Sequence, residues 1–175
     1  MASDRRLPGD WPPHAYVPGG PWPHPGHSSP IIGSSPCLGE TGDWHACPAY
    51  LEGFRLFNAG YYWEAHEVWE VQWNAEGRRG CAADLLRALI KLAAAGVKVR
   101  EGQAHGVTTH ATRAAQLLRS IQAETGPRFL GLDLPACEAF AERVASTPWR
   151  TFPLRDEPVV RVFDWVLAPS AEQSQ

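Results

Sequence analysis

The side chains with the clearest capacity for chemistry lie in residues 61–74, where carboxylates, an imidazole and indoles crowd into one short segment. Residues 66–70 have the form H-E-x-x-E, close to the H-E-x-x-H pattern in which two histidines one helical turn apart bind zinc and the glutamate activates water. A carboxylate can replace the second histidine as a ligand. His66 and Glu70 are therefore candidate metal ligands on one helix face, with Glu67 as a general base or a further ligand.

A third ligand is expected from His110, which helical spacing places on the inward face of a later helix. Imidazole and carboxylate donors suit iron, zinc or manganese, so the candidate cofactor is a divalent transition metal. The corresponding activity is that of a metal-dependent hydrolase or oxidoreductase, in which Lys91 stabilises negative charge. This interpretation requires the helix that carries His66 to touch the helix that carries His110.

Two other interpretations of the same cluster remain open, so the residues do not decide whether the protein is an enzyme. In the first, the protein is a non-catalytic helical module whose carboxylates pair with Arg87, Lys91 or Lys98, and this pairing would depress the pKa values of the carboxylates. The aromatic surface of such a module would mediate binding to another protein or homo-oligomer formation. In the second, a small polar or anionic ligand occupies a pocket. All three interpretations expect the cluster to be buried. Besides His66 and Lys91, the residues expected around a ligand are Tyr62, Trp63, Glu64, Trp69, Trp73 and Arg87.

The elements that must position these residues are helices. Apolar residues recur at helical spacing and predict an all-α fold, a compact bundle of about five helices. The predicted helices cover about 48–58, 61–74, 81–100, 103–124 (with 107 as the alternative start) and 133–147. Pro48 and Gly60 delimit the first of these helices, and Asp133 with Pro135 opens the last. The small residues 93–96 permit close contact between helices. Residues 159–167 fit a strand and a helix equally well, so their state is left open.

Composition divides the chain into three regions. Residues 1–46 form a proline- and glycine-rich N-terminal arm, which is expected to be extended and to wrap on the bundle because its tryptophans and isoleucines are too apolar for a solvated tail. Residues 47–147 form the helical domain, and residues 148–175 form a C-terminal extension. If the arm covers the cluster, His24 or His27 could enter the site as a lid or a ligand.

Charge and hydropathy exclude several classes of protein. The formal charge of -3 and the pI near 6.1 provide no basic field for nucleic acid or an anionic membrane surface. No apolar run reaches the roughly 18 residues of a membrane span. Arg5 and Arg6 are followed by proline and glycine rather than an apolar segment, so no secretory signal is predicted. The four cysteines are widely spaced and are expected to be free thiols. Free thiols and the absence of a predicted secretory signal together predict a cytoplasmic protein.

The cluster segment also resembles a known family. A glycine, an aromatic residue, Glu-Ala-His-Glu and then glutamate and tryptophan on the same helix are similar to the signature of domain of unknown function family 309, whose members are small all-helical bacterial and archaeal proteins. The resemblance extends over roughly residues 48–147 and implies an all-α fold without implying an activity. Ala88 and Lys91 stand where the family has glycine and glutamine, and Gly102-Gln103 stands for its usual Gly-Asn. The positions that carry the signature are Gly60, Tyr62, Glu64, Ala65, His66, Glu67, Glu70 and Trp73.

Overall fold

The fold is an all-α bundle, as the apolar spacing predicts. The computed structural model describes residues 11–25 and 38–170. The first helical elements there are a four-residue helix α1 (Leu38–Thr41) and a short 3-10 turn (Trp44–Ala46). The five long helices that follow are α2 (Pro48–Ala59), α3 (Tyr62–Ala75), α4 (Cys81–Glu101), α5 (Ala104–Thr125) and α6 (Leu134–Ser146). An antiparallel hairpin whose strands have two residues each, β1 (Arg128–Phe129) and β2 (Leu132–Asp133), joins α5 to α6. This hairpin was not predicted.

The ends of the helices are where the local sequence signals put them. Pro48 occupies the first turn of α2, and Gly60 ends that helix with a left-handed backbone (φ 95°), which costs glycine little. Asp133 caps α6 by accepting a hydrogen bond from the Ala136 N–H at 3.0 Å. Predicted and observed bounds of the five long helices differ by only one or two residues, except that of the two predicted starts of α5, 103 and 107, only the first is this close to Ala104.

Each long helix packs on the next one along the chain, and α4 lies between α3 and α5. The contact between α3 and α4 is close because Gly96 lies under the Tyr62 ring, where an added Cβ would come within 2.6 Å of the ring carbons. The small residues of α4 thus allow the close helix contact that their spacing predicted. The helix that carries His66 is held firmly against the most buried helix of the bundle.

Residues 11–25 of the N-terminal arm lie on the bundle, as expected. Ala15 and Val17 are buried, the Ala15 N–H donates to the Pro158 carbonyl at 2.8 Å, and the Tyr61 hydroxyl donates to the Pro12 carbonyl at 2.7 Å. Residues 38–46 are not extended as predicted but contain α1 and the 3-10 turn. The expectation for the rest of the arm, including His27, lies outside the described residues.

The C-terminal extension also packs into the fold. Over 148–170 it contains neither helix nor strand, which answers the question that its sequence left open. Its Phe163 is buried between α2, α3 and α6, and both amide atoms of Asn58 bond the backbone of Leu167 at 2.7 and 2.9 Å. Across the ranges 11–25 and 38–170, none of the helices has the length and apolarity needed to cross a membrane.

Candidate metal site

The α3 helix turns two different faces to its surroundings. Tyr62 and Trp69, seven residues apart, face the core, and Trp69 is fully buried with its indole N–H donating to the Tyr50 carbonyl at 3.1 Å. His66 lies at the edge of this face and is half-buried together with Trp73. The prediction that Tyr62, Trp69 and Trp73 line a ligand pocket with His66 remains untested, but Tyr62 and Trp69 are occupied in core packing.

The predicted cluster does converge. One ligand atom each from His66, Glu67 and Glu70 lies within 4.8 Å of the others, and this is the one such group of three found among residues 11–25 and 38–170. His66 Nδ1 lies 3.5 Å from Glu67 Oε1 and 4.0 Å from Glu70 Oε2. The three side chains are 25%, 37% and 45% exposed. The expectation of a buried site is therefore wrong, because the cluster lies on the half-exposed face of α3.

The geometry of the three side chains is compatible with a metal ion. At bond lengths near 2.1 Å, two ligands of a tetrahedral ion are about 3.4 Å apart. The separation of His66 Nδ1 from Glu67 Oε1, 3.5 Å, is close to this value, and the exposed Glu70 carboxylate, 4.0 Å from the same nitrogen, would have to move closer by rotation of its side chain. His66 Nδ1 is shielded from solvent and has no hydrogen-bond partner within the described ranges. A metal would satisfy this nitrogen.

His110 lies near the cluster but is not one of the three converging residues. It is half-buried in α5, and its pKa is lowered first by burial and then by the charges of Lys91, Lys98 and His66. Extensive packing joins α4 to both α3 and α5, whereas α3 and α5 make no comparable contact. His110 is thus a neutral imidazole at neutral pH on the side of the bundle that His66 and Lys91 share.

The predicted pairing of carboxylates with cations is not formed. Arg87 and Lys91 are half-buried and make no ion pair with any residue in the described part of the chain, while Lys98 bonds Glu101 at 2.6 Å. Glu64 is 6% exposed, and burial raises its pKa from 4.5 to about 7, the opposite of the depression that pairing predicts. The charge network proposed from sequence is therefore wrong in its partners.

Two residues that were not predicted as site residues make hydrogen bonds that fix the segments around the site. Tyr16 of the arm donates its backbone N–H to Glu64 Oε1 at 2.8 Å. Arg100 of α4 is 1% exposed and donates its guanidinium N–H groups to the carbonyls of Leu154 and Glu157 in the C-terminal extension. Neither has a spacing signal, because Tyr16 bonds Glu64 through its own backbone N–H and Arg100 bonds backbone carbonyls of a distant segment.

The remaining indoles lie on either side of the cluster. Trp73 packs under the guanidinium of Arg78, 5.0 Å from the ring centroid. Trp63 stacks on His66 with ring centroids 5.9 Å apart, and its other side faces the arm. His24 contacts the rings of Trp63 and Tyr16, and its entry into the site as a lid or ligand stays a prediction.

Comparison with known proteins places this site in a family. Residues 50–109 match the family model described as Domain of unknown function (DUF309). This segment of the chain belongs to that family. The DUF309 match covers all of α3 and α4, and so includes His66, Glu67 and Glu70, but it ends one residue before His110 and is shorter than the predicted 48–147. No curated protein matches the chain.

Proposed function

We propose that α3 binds one divalent transition metal ion through His66, Glu67 and Glu70 and that the protein uses it in metal-dependent hydrolysis. The observation that supports this proposal is the convergence of three ligand atoms within 4.8 Å around an imidazole nitrogen that has no other partner in the described chain. One nitrogen and two carboxylate oxygens suit zinc, manganese or iron. The exposure of the cluster leaves room for a water molecule and a substrate.

A metal with three protein ligands retains an open position, at which it would lower the pKa of a bound water and polarise a substrate oxygen. Di-iron sites in helical bundles draw carboxylates from several facing helices. The donors that converge in the described chain all belong to α3. This favours a single ion and hydrolysis over a di-iron oxidoreductase.

Lys91 and His110 support the proposal as groups that act beside the ion. Lys91 has no ion pair among the described residues, so its ammonium group is available to stabilise negative charge on a substrate. Burial and neighbouring cations keep His110 neutral, so its imidazole can accept a proton from an attacking water. In this arrangement Glu67 is a ligand, and the role of base passes from Glu67 to His110.

The competing interpretation, a non-catalytic module with a structural charge network, depended on ion pairs to Arg87, Lys91 or Lys98 and loses its support without them. Self-association through aromatic surface remains a prediction. The exposed large apolar side chains of the described residues are isolated ones, Val71, Phe152 and Val166, and scattered apolar residues of this kind are normal on a monomer.

Metal analysis of the untagged protein tests the proposal. We expect about one equivalent of zinc, manganese or iron after dialysis against metal-free buffer, and its loss in His66→Ala and Glu70→Gln. His105→Ala is the matched control, because His105 is an exposed histidine of α5 outside the cluster, and it should retain the metal. Metal-free wild-type protein that also fails to take up added zinc or manganese would refute the proposal.

A further inference from the structure

A continuous series of ring contacts joins the N-terminal arm to the proposed metal ligand. The Tyr16 ring meets the Trp63 ring edge-on, with centroids 4.9 Å apart and planes at 77°. Trp63 also lies nearly parallel to His66, with centroids 5.9 Å apart and planes at 27°. His24 adds a third ring, 5.6 Å from Trp63 and 4.7 Å from Tyr16. Trp63 thus contacts both the rings of the arm and the His66 imidazole.

The backbone around Tyr16 is anchored independently of these rings. The Tyr16 N–H donates to the buried carboxylate of Glu64 at 2.8 Å, and the preceding residue, Ala15, donates to the Pro158 carbonyl at 2.8 Å. Ala15 and Val17 are 1% and 2% exposed. Since the chain is fixed on both sides of Tyr16, the fold holds the backbone from which its ring extends toward Trp63.

His66, by contrast, has little else to orient it. Metal-binding histidines are usually held by a hydrogen bond from their second ring nitrogen to a carboxylate, carbonyl or water. In this structure Nδ1 faces the two carboxylates at 3.5 and 4.0 Å, and the second ring nitrogen, Nε2, has no hydrogen bond to any of the described residues. The nearly parallel Trp63 ring is then the aromatic contact of the imidazole among the described residues.

We infer that Tyr16 and Trp63 are positioning residues for the metal ligand His66, so that an arm outside the family segment completes the site in this chain. The inference rests on the proposed metal site. Residues 50–109 match the family, which leaves Tyr16 and His24 outside the match. The family segment supplies the ligands and Trp63, while the arm supplies the support behind Trp63. Loss of that support allows the indole to rotate and the imidazole to follow it.

Zinc affinity of the full chain, measured by competition with a chromophoric chelator, tests the inference. Tyr16→Ala removes the ring behind Trp63 and should weaken zinc binding about tenfold, the lower end of the usual effect of losing a support behind a ligand. Tyr16→Phe keeps the ring and should restore the wild-type affinity. Trp11→Ala is the matched control: Trp11 anchors the same arm through Glu52 and Tyr61, away from His66, and its removal should leave zinc affinity unchanged.

A second readout does not need the metal. The imidazole resonances of His66, recorded by NMR on metal-free protein, carry a ring-current shift from the stacked Trp63, which Tyr16→Ala should change and Tyr16→Phe should preserve. Wild-type protein that binds no zinc would refute the metal site, while the His66 resonances would still test the role of the arm. If Tyr16→Ala leaves both the His66 resonances and any zinc affinity at their wild-type values, the inference is overturned.

Discussion

The contact between Gly53 of α2 and Trp69 of α3 yields a sharp prediction about the helix that carries the site. An added Cβ at Gly53 would lie 2.6 Å from Cδ1 of the Trp69 indole and closer still to Nε1. Trp69 is fully buried and its N–H already donates to the Tyr50 carbonyl, so the ring has no free direction in which to move. Gly53→Ala should therefore displace Trp69 and loosen the packing of α3 on α2.

The magnitude follows from three effects. Forcing an extra carbon into a packed core costs about 1–3 kcal/mol. A displaced Trp69 leaves a buried indole N–H without an acceptor, which costs about 1–3 kcal/mol. Alanine is the better helix former and returns about 1 kcal/mol. We expect Gly53→Ala to lower the free energy of unfolding by about 3 kcal/mol and the Tm by roughly 6–12 °C.

Urea unfolding followed by circular dichroism at 222 nm measures this change. Gly106→Ala in α5 is the matched control, because its added Cβ meets only the flexible side chain of Lys98, and its stability should equal that of wild type or exceed it slightly. If Gly53→Ala is as stable as the control, Trp69 is not locked in the core, and the account of how α3 is oriented is wrong.

Two further predictions concern buried titratable groups. Burial raises the pKa of Glu64 from 4.5 to about 7. The contribution of this carboxyl group to stability is therefore fully present below pH 4.5 and is lost as the pH rises through about 7. With chelator present, the free energy of unfolding of the wild type should fall by about 3 kcal/mol relative to Glu64→Gln between pH 4.5 and 8. A constant difference between the two proteins across that range would contradict this. Burial also raises the pKa of the Cys137 thiol to about 12, and burial together with Glu124 raises the pKa of Cys81 as well. Because Cys81 is half-buried and Cys137 is buried, native protein treated with iodoacetamide at pH 8 should be modified faster at Cys81, as peptide mass spectrometry would show. Equal rates would contradict the packing of α6.

Local signals account for the parts of the fold that the sequence predicted correctly. Pro48, Gly60 and Asp133 act on the backbone within a few residues of themselves, so the limits of α2 and α6 follow from the residues present at those limits. The apolar spacing of α4 is unambiguous because its charged, half-exposed residues follow one narrow stripe and the remaining faces are buried. The convergence of His66 with Glu70 needed only the geometry of one helix.

The features that could not be predicted depend on contacts between distant parts of the chain. The exposure of the His66 cluster depends on how α3 is rotated about its axis, which is set by the packing of Trp69 against Gly53. Helical spacing places His66 and Trp69 near one face of α3 but does not determine which of the two is more deeply buried. Glu64 was expected to pair with a lysine or arginine, but its partner is the backbone of Tyr16, 48 residues away. Nearly every residue type carries a backbone N–H donor, so the residue type at position 16 does not indicate that this hydrogen bond forms.

The most direct test of the central claim is the position of a bound metal. Crystals of untagged protein grown with zinc and measured just above the zinc absorption edge should give one anomalous difference peak about 2.1 Å from His66 Nδ1 and within bonding distance of carboxylate oxygens of Glu67 and Glu70. The peak should be absent from His66→Ala crystals grown under the same conditions. A zinc-soaked wild-type crystal without a peak at these three side chains, or with its peak only at other histidines, would contradict the account.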